Sequence, residues 1–413
     1  MLNDKSYAIC LCGGGLRTTI SSISLIENFN KKYSLKNIKY LSGTSGSTIS
    51  IILNHYDTLI INDYNEPNEC TLEILDNKKK DTFVDKFSNL VVIDDVIKAK
   101  FSKNNFSFWI NFIKDIFFKD VNFDNNKNKN DKPEYILTCS IFFQELNENY
   151  YQLEFLNKTC SLPNKIIDKN NIYLYGGYET NLNNFIKDLE INRVIQCALS
   201  SNFIDSTLEY KSGGKIKTFE WELLNPITNS INISSIVDGG IYDNLGIISC
   251  LRRKMKNIHI NIFTDKSIID KDFLNNDLDS GYFKFFEGND NDNKFTIFKR
   301  ETWLNLYKEL SEKFLSGKST IVNLKTEIIA NEYLDIEPYG EINFLFHINS
   351  CNKEWFSELP KCTQKYILNE YNDFPYFNFL KYKYNPITIN LIYNLIGWEV
   401  RNSKEYELFY SEL

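Results

Sequence analysis

Short apolar runs alternate with small-residue breaks through the first fifty-odd positions. Residues 6–12, S-Y-A-I-C-L-C, are too few for a helix and apolar enough for a strand buried on both faces. The run breaks at Gly13–Gly15, and residues 16–29 then place Ile20, Ile23, Leu25 and Ile26 on the apolar face of a predicted helix. Residues 37–42, N-I-K-Y-L-S, predict a second strand, which breaks at Gly43; Ser47–Leu53 predicts a second helix. Two consecutive strand–turn–helix units are how a parallel α/β sheet begins.

The same reading continues along the chain. Residues 135–143, Y-I-L-T-C-S-I-F-F, predict a strand with 150–155 as its partner, and 184–199 predict a helix. Residues 231–237, I-N-I-S-S-I-V, predict a strand that stops at Asp238-Gly239-Gly240, and 257–264 predict another. Beyond 295 the pattern is mostly helical, with 385–396 as a closing helix. Residues 57–133 read as an insertion, polar at both ends and flexible by composition at 125–131, N-N-K-N-K-N-D. Inside it, Phe106, Trp109, Ile110, Ile113, Ile116 and Phe117 share one helical face, and Ser107, Asn111, Lys114 and Asp115 share the other. That amphipathic helix packs on the core or, alternatively, serves as a lid or a lipid-facing surface. Residues 286–294 read as a second loop. The organisation expected is a core over 1–265 carrying the insertion, followed by a mostly helical region over 266–413 packed on it.

Composition narrows the classes. With 43% hydrophobic and 24% charged residues among 413, the chain can bury a large core. A net charge of −7 argues against nucleic acid as the main partner, since phosphate binding needs a basic stripe. It also argues against docking on anionic lipid by bulk charge, with Lys78-Lys79-Lys80 as a local exception. The nine cysteines include no C-x-x-C pair, and the three histidines, His55, His259 and His347, are scattered. Neither a disulfide framework nor a zinc framework is expected, but reduced, buried thiols in a cytosol-like compartment. A strand begins almost at once, so no leader peptide is expected, and no apolar run is long enough to span a bilayer. Contact with a membrane surface stays open.

Two stretches carry chemistry. The Gly13–Gly15 break lacks both the P-loop pattern and the dinucleotide fingerprint, because Thr18 fills the last glycine position. A tight strand-to-helix turn with backbone N–H groups at a helix N-terminus remains. It suits a phosphate, or an oxyanion that forms only during reaction. Arg17 in the first helical turn opposes the helix dipole, so a nearby anion explains it better than local stability does. Residues 43–47, G-T-S-G-S, place Ser45 on a sharp strand-to-helix turn between small residues, the pattern of a nucleophile elbow. Both turns follow consecutive strands, so they can face each other.

A serine nucleophile needs a proton acceptor. His259 alternates along a strand and His347 lies in an apolar run, so each reads as a packed core residue; His55 lies on the elbow helix, poorly placed to fold back. Asp238 ends an apolar strand before two glycines and is the stronger candidate, with Asp243 and Asp265 as rivals.

Together, G-G-G-L-R at 13–17, G-T-S-G-S at 43–47 and D-G-G at 238–240 resemble the patatin-like phospholipases; the glycine-serine ending of the elbow is most similar to the cytosolic phospholipase A2 branch, and the threonine before the serine is more similar to patatins. V-I-Q-C-A-L-S-S-N-F-I at 194–204 and I-Y-D-N-L-G-I at 241–247 are similar to further family blocks, with Gly246 where proline is common. Cys12 and Thr18 depart from the residues usual beside the glycine turn. The resemblance covers scattered blocks over about 6–265. It implies a three-layer α/β/α sandwich with a mostly parallel central sheet. It implies Ser45 as nucleophile and Asp238 as base, with an oxyanion turn of Gly13, Gly14 and Gly15, in which Gly14 and Gly15 donate and Gly13 shapes the turn. Arg17 would steady a substrate phosphate or the oxyanion. The implied activity is hydrolysis of phospholipid or lysophospholipid esters through an acyl-serine. It needs no cofactor, and calcium dependence in that branch comes from a separate domain. The protein would be cytoplasmic, visiting membranes transiently, with any protein activator unidentified. Three alternatives stay open: a catalytically inactive lipid- or anion-binding protein of the same fold, a Ser-His-Asp esterase acting on soluble esters, and a transacylase using the same residues.

Overall fold

The computed structural model describes residues 7–56, 117–118, 132–143, 150–156, 166–167, 172–173, 210–212, 215–217, 220–224, 231–239, 243–262, 319–328, 337–349, 351–370, 374–375 and 386–411. The helix predicted over 184–199, the loop over 286–294 and nearly all of the 57–133 insertion lie outside the described residues. From the insertion's aromatic face, Phe117 is described, and it is buried.

Both opening units form as the apolar pattern dictates. Strand β1 (Tyr7–Leu11) leads to helix α1 (Leu16–Lys32), and β2 (Ile38–Thr44) leads to α2 (Ser47–His55). Next come β3 (Glu134–Phe143) and β4 (Tyr150–Leu156), which pair antiparallel as expected. Two small ribbons follow, β5 (Ile166–Ile167) with β6 (Ile172–Tyr173) and β7 (Tyr210–Ser212) with β8 (Lys215–Lys217). Strands β9 (Glu220–Leu224) and β10 (Ile231–Asp238), the short helix α3 (Ile248–Arg252) and strand β11 (Asn257–Ile262) complete the region to 262.

The stretch expected to be mostly helical contributes two further strands, β12 (Thr320–Lys325) and β13 (Glu341–Ile348), before helices α4 (Lys353–Glu358), α5 (Lys361–Glu370), α6 (Pro386–Asn402) and α7 (Lys404–Phe409). β13 pairs parallel with β11 and antiparallel with β12, so the region after 266 extends the main sheet.

Nine strands form that sheet, in the order β12-β13-β11-β1-β2-β3-β10-β9 with β4 also on β3. The sheet is mixed, not mostly parallel. Its centre, β13-β11-β1-β2-β3, is parallel throughout, while β12, β4, β10 and β9 join antiparallel. Central strands covered on both faces become near-continuous apolar runs, as in Y-A-I-C-L of β1, where every residue is buried.

On one face Ala8, Cys10, Ile258, Ile260, Phe344 and Phe346 pack with Ile248 and Leu251 of α3. On the other, α1 is buried on nearly every side and packs on α2 and α6. Most of the polar side chains on its buried faces tolerate this because they find backbone carbonyls: Ser24 Oγ donates to Tyr393 O at 2.6 Å and Asn28 Nδ2 to Ser24 O at 2.9 Å, whereas the buried Ser22 Oγ meets no partner among the described residues. Cys10, Cys12, Cys250 and Cys351 are free thiols, as expected; Cys362 departs from that expectation and is disulfide-bonded. No helix among the described residues is long and apolar enough to cross a membrane.

Candidate active site

Ser45 stands where β2 gives way to α2, with φ of 55°. A positive φ is costly for a residue with a Cβ, and it persists only where the surroundings enforce it. Two features do so here. Ser47 Oγ lies 2.7 Å from Leu11 O and 2.8 Å from Thr44 O, and it accepts from Thr44 N at 3.0 Å, tying the ends of β1 and β2 together. Gly46 packs against the glycine turn so closely that a Cβ there would stand 2.1 Å from Gly15 O. The elbow's fifth position is therefore serine for a reason beyond small size.

The glycine turn faces the elbow, as the two consecutive units allow. A Cβ placed on Gly13 would lie 3.0 Å from Ser45 Cβ. Gly14 and Gly15 have φ of 153° and 72°, conformations that favour glycine. The Gly13 N–H donates to Asn244 O at 2.9 Å, which ties the turn to the loop after β10. Among the described residues the N–H groups of Gly14 and Gly15 meet no acceptor. Thr18 Oγ1 donates to Gly15 O at 2.8 Å and Thr19 Oγ1 to Gly46 O at 2.7 Å, so the threonines after Arg17 clamp the turn to the elbow.

Arg17 is buried, and its Nε donates to Gly14 O at 3.1 Å. This bond braces the turn from inside, at a helix end where the charge alone is unfavourable.

The position of Asp238 follows from strand registers. On β3, Glu134–Thr138 pair with β2 and Cys139–Phe143 pair with β10. The opposite edge of β3 is taken by β4 over Ile136–Phe142. Hence β2 and β10 share one edge of β3 and meet head to head, with Thr44 opposite Thr138 and Asp238 opposite Cys139. Asp238 reaches the level of Ser45 from the direction opposite to the one a parallel strand would give. Gly239, the next residue, lies so close to Thr138 O that a Cβ there would stand 2.2 Å away. Gly240 and Asp265 lie outside the described residues.

Asp243, the rival base, is committed elsewhere. Its Oδ1 accepts from Leu245 N at 3.2 Å and Gly246 N at 3.0 Å, and its Oδ2 from Ile248 N at 2.8 Å. The carboxylate is fully buried and organises the entry to α3. The sequence reading gave Asn244 and Thr44 no structural role and did not single out Thr138. The spacing of D-N five residues after Asp238 is the signal that was present for the first.

The histidines occupy a different region. His259 pairs with Ile9, which pairs with Leu41, four positions before Ser45 and two strands away. That is about 10 Å sideways and about 13 Å along the strands. His347 lies one strand further out, on β13. His259 Nδ1 lies 2.9 Å from Tyr410 OH and its Nε2 3.1 Å from Tyr406 OH. His347 contacts Tyr406 OH through Nδ1 and Glu399 Oε2 at 2.6 Å through Nε2. Burial, then the neighbouring His347, holds the His259 imidazole well below its ordinary value. His55 packs its ring edge-on against Tyr56 and Tyr135. Among the described residues no group of three or more His, Cys, Asp or Glu is placed to hold a metal ion.

No family model matches the chain, and no curated protein matches it. Among solved structures it is similar to human GIVD cytosolic phospholipase A2, with a TM-score of 0.46 and 11% identity. The alignment covers 98% of this chain, which spans 59% of that protein's length.

Proposed function

We propose that the chain is a lipid acyl hydrolase of the patatin-like kind, cleaving carboxylic esters of phospholipids or lysophospholipids with a Ser45–Asp238 dyad. The observation that carries this reading is the head-to-head meeting of β2 and β10 on one edge of β3, beside a glycine turn with two N–H groups that meet no acceptor among the described residues. A hydroxyl on a strained elbow, an acid at the end of the facing strand and main-chain donors are the parts an acyl transfer needs.

In the proposed reaction Asp238 accepts the Ser45 Oγ proton as Oγ attacks the ester carbonyl. The oxyanion is held by the N–H groups of Gly14 and Gly15. Collapse expels the alkoxide, which takes the proton from Asp238 and leaves as the alcohol. Water then attacks the acyl-serine and gives a proton to Asp238, which passes it to Ser45 Oγ as the fatty acid leaves, restoring the hydroxyl and the carboxylate. Arg17, one helical turn away, supports the oxyanion turn or a substrate phosphate. In the same reading the helices on the two faces of the sheet make a three-layer α/β/α sandwich. The core over 1–265 and the region over 266–413 form one catalytic unit, cytoplasmic and transiently at membranes.

The histidine-triad alternative loses ground because His259 and His347 sit two and three strands from the elbow and partner tyrosines and Glu399. The test is a fluorophosphonate probe on wild type and Ser45→Ala, followed by vesicles of phosphatidylcholine or lysophosphatidylcholine labelled at each acyl position. Labelling lost in Ser45→Ala together with fatty-acid release is the expected result. A wild type that neither labels nor releases fatty acid overturns the reading.

A further inference from the structure

The dipeptide Asp243-Asn244 touches all three motifs and belongs to none. Asp243 N–H donates to Gly239 O at 2.8 Å, next to Asp238. Asp243 O accepts from Thr44 Oγ1 at 3.1 Å, next to Ser45. Asn244 O accepts from Gly13 N. Thr44 Oγ1 also lies 2.6 Å from Thr138 Oγ1, which is 3.2 Å from Gly43 O. Two hydroxyl protons thus serve three contacts, in a chain running from the Asp243 carbonyl through Thr44 and Thr138 towards β2. Thr44, Thr138 and Asp243 are each completely buried.

This chain lies where two strands share one edge of β3. β2 and β10 abut end to end, so no ladder runs between them; each is anchored to β3 separately. Ladder bonds to β3 fix the ends of β2 and β10 but not the turns that leave them. A link between those turns has to come from side chains or from the loop after Asp238. The Thr44 hydroxyl supplies one such link. It reaches from the residue before Ser45 to the loop whose amide holds the residue after Asp238.

We propose that Thr44, acting through the Asp243 carbonyl and Thr138, is a positioning residue that sets the distance between nucleophile and base. This inference rests on the Ser45–Asp238 reading. Threonine at this elbow position is then selected for its hydroxyl and not only for its strand propensity.

The experiment uses the full chain with Thr44→Val, which removes the hydroxyl at nearly constant shape, and Thr44→Ser, which keeps it. Thr138→Val serves as a second deletion should the first not fold. Hydrolysis of a soluble chromogenic acyl ester is measured beside thermal unfolding. A misplacement of the reacting groups by a fraction of an ångström to 1 Å predicts a kcat lower by about 10- to 100-fold in the valine variant. KM stays within about threefold, and Thr44→Ser returns kcat to within about threefold of wild type. A folded valine variant with wild-type kcat overturns the proposal, as does a serine variant no better than valine. Unfolding of both valine variants assigns the hydroxyls to stability and overturns it as well. Wild type that hydrolyses and labels while Thr44→Val is unaffected defeats the positioning role alone; wild type without either activity defeats the hydrolase reading and this inference with it.

Discussion

Thr44 and Asp238 stand opposite consecutive residues, Thr138 and Cys139, on the same edge of β3. Positions along a strand are about 3.3 Å apart, so the two chain ends abut and Ser45 and Gly239 turn out of the sheet at one junction. If Asp238 is the base, Asp238→Asn keeps the volume and removes the proton acceptor. The expected result is a fall in kcat of about 10²- to 10⁴-fold, with an unchanged unfolding midpoint and a parallel fall in fluorophosphonate labelling of Ser45. Full activity in that variant would rule out the dyad.

Gly46→Ala tests the seam between elbow and glycine turn. The added methyl would stand 2.1 Å from Gly15 O and 3.1 Å from Thr18 Oγ1, and the nearest atom is backbone that cannot swing aside. Overpacking of this kind costs about 1–3 kcal/mol or more. Chemical denaturation should show that loss, and labelling of Ser45 should fall with it, because relief of the clash moves the very amides proposed to hold the oxyanion. Wild-type stability would mean that the seam is looser than described.

His259 supplies a pH dependence unconnected with the site. Its ring faces Tyr406 and Tyr410 from α7 and the segment after it, and His347 from β13. Burial first, then His347, holds it well below the ordinary 6.5. As pH falls through 6.5 the unfolded chain takes up a proton that the folded chain refuses, so stability declines from that point down to the depressed value. The slope is at most about 1.4 kcal/mol per pH unit. Tyr406 and Tyr410 act at the other end. Burial, with neighbouring charges adding, raises both well above 10.0, so stability declines again as pH rises past that value. Unfolding midpoints should show a plateau between the two limbs, and His259→Gln should flatten the acid limb while leaving kcat intact. A variant without esterase activity would instead revive a histidine mechanism.

The sequence disclosed what is local. β1, α1, β2 and α2 begin and end within a few residues of the predicted limits, because apolar runs and glycine breaks are short-range signals. The direction of β10 was not legible. The run I-N-I-S-S-I-V marks a buried strand but carries no polarity, and its partner β3 lies some ninety positions earlier in the chain. β13 escaped for a related reason. The apolar run around His347 was visible, but nothing nearby indicated that it would extend a sheet begun at Tyr7. Asp243 and Arg17 were read by charge, and their burial adds a need for hydrogen-bond partners that charge alone does not reveal. Each bonds to backbone groups no sequence pattern names, among them three amides for Asp243 and the Gly14 carbonyl for Arg17.

Glu154 gives the severest prediction away from the site. It is buried on β4 and receives Arg253 through two bonds, Nη1 to Oε1 at 3.2 Å and Nη2 to Oε2 at 2.7 Å, with Arg252 at 3.9 Å. Burial pushes the carboxyl upward, but the charge and hydrogen bonds of Arg253, helped by Arg252, outweigh it and leave the group below its ordinary value. Glu154→Gln keeps the shape and removes the carboxylate charge that faces two guanidinium groups, on the last residue of α3 and on the residue after it. Breaking one partner of a buried pair typically costs about 3–5 kcal/mol, because the remaining charge stays desolvated. The same residues pin β4 to the segment carrying Asp243-Asn244. The expected result is therefore a large drop in the denaturation midpoint, with increased hydrogen exchange in α3 before the rest of the sheet. A drop of less than about 1 kcal/mol would place this ion pair in the solvated class, where such pairs contribute little.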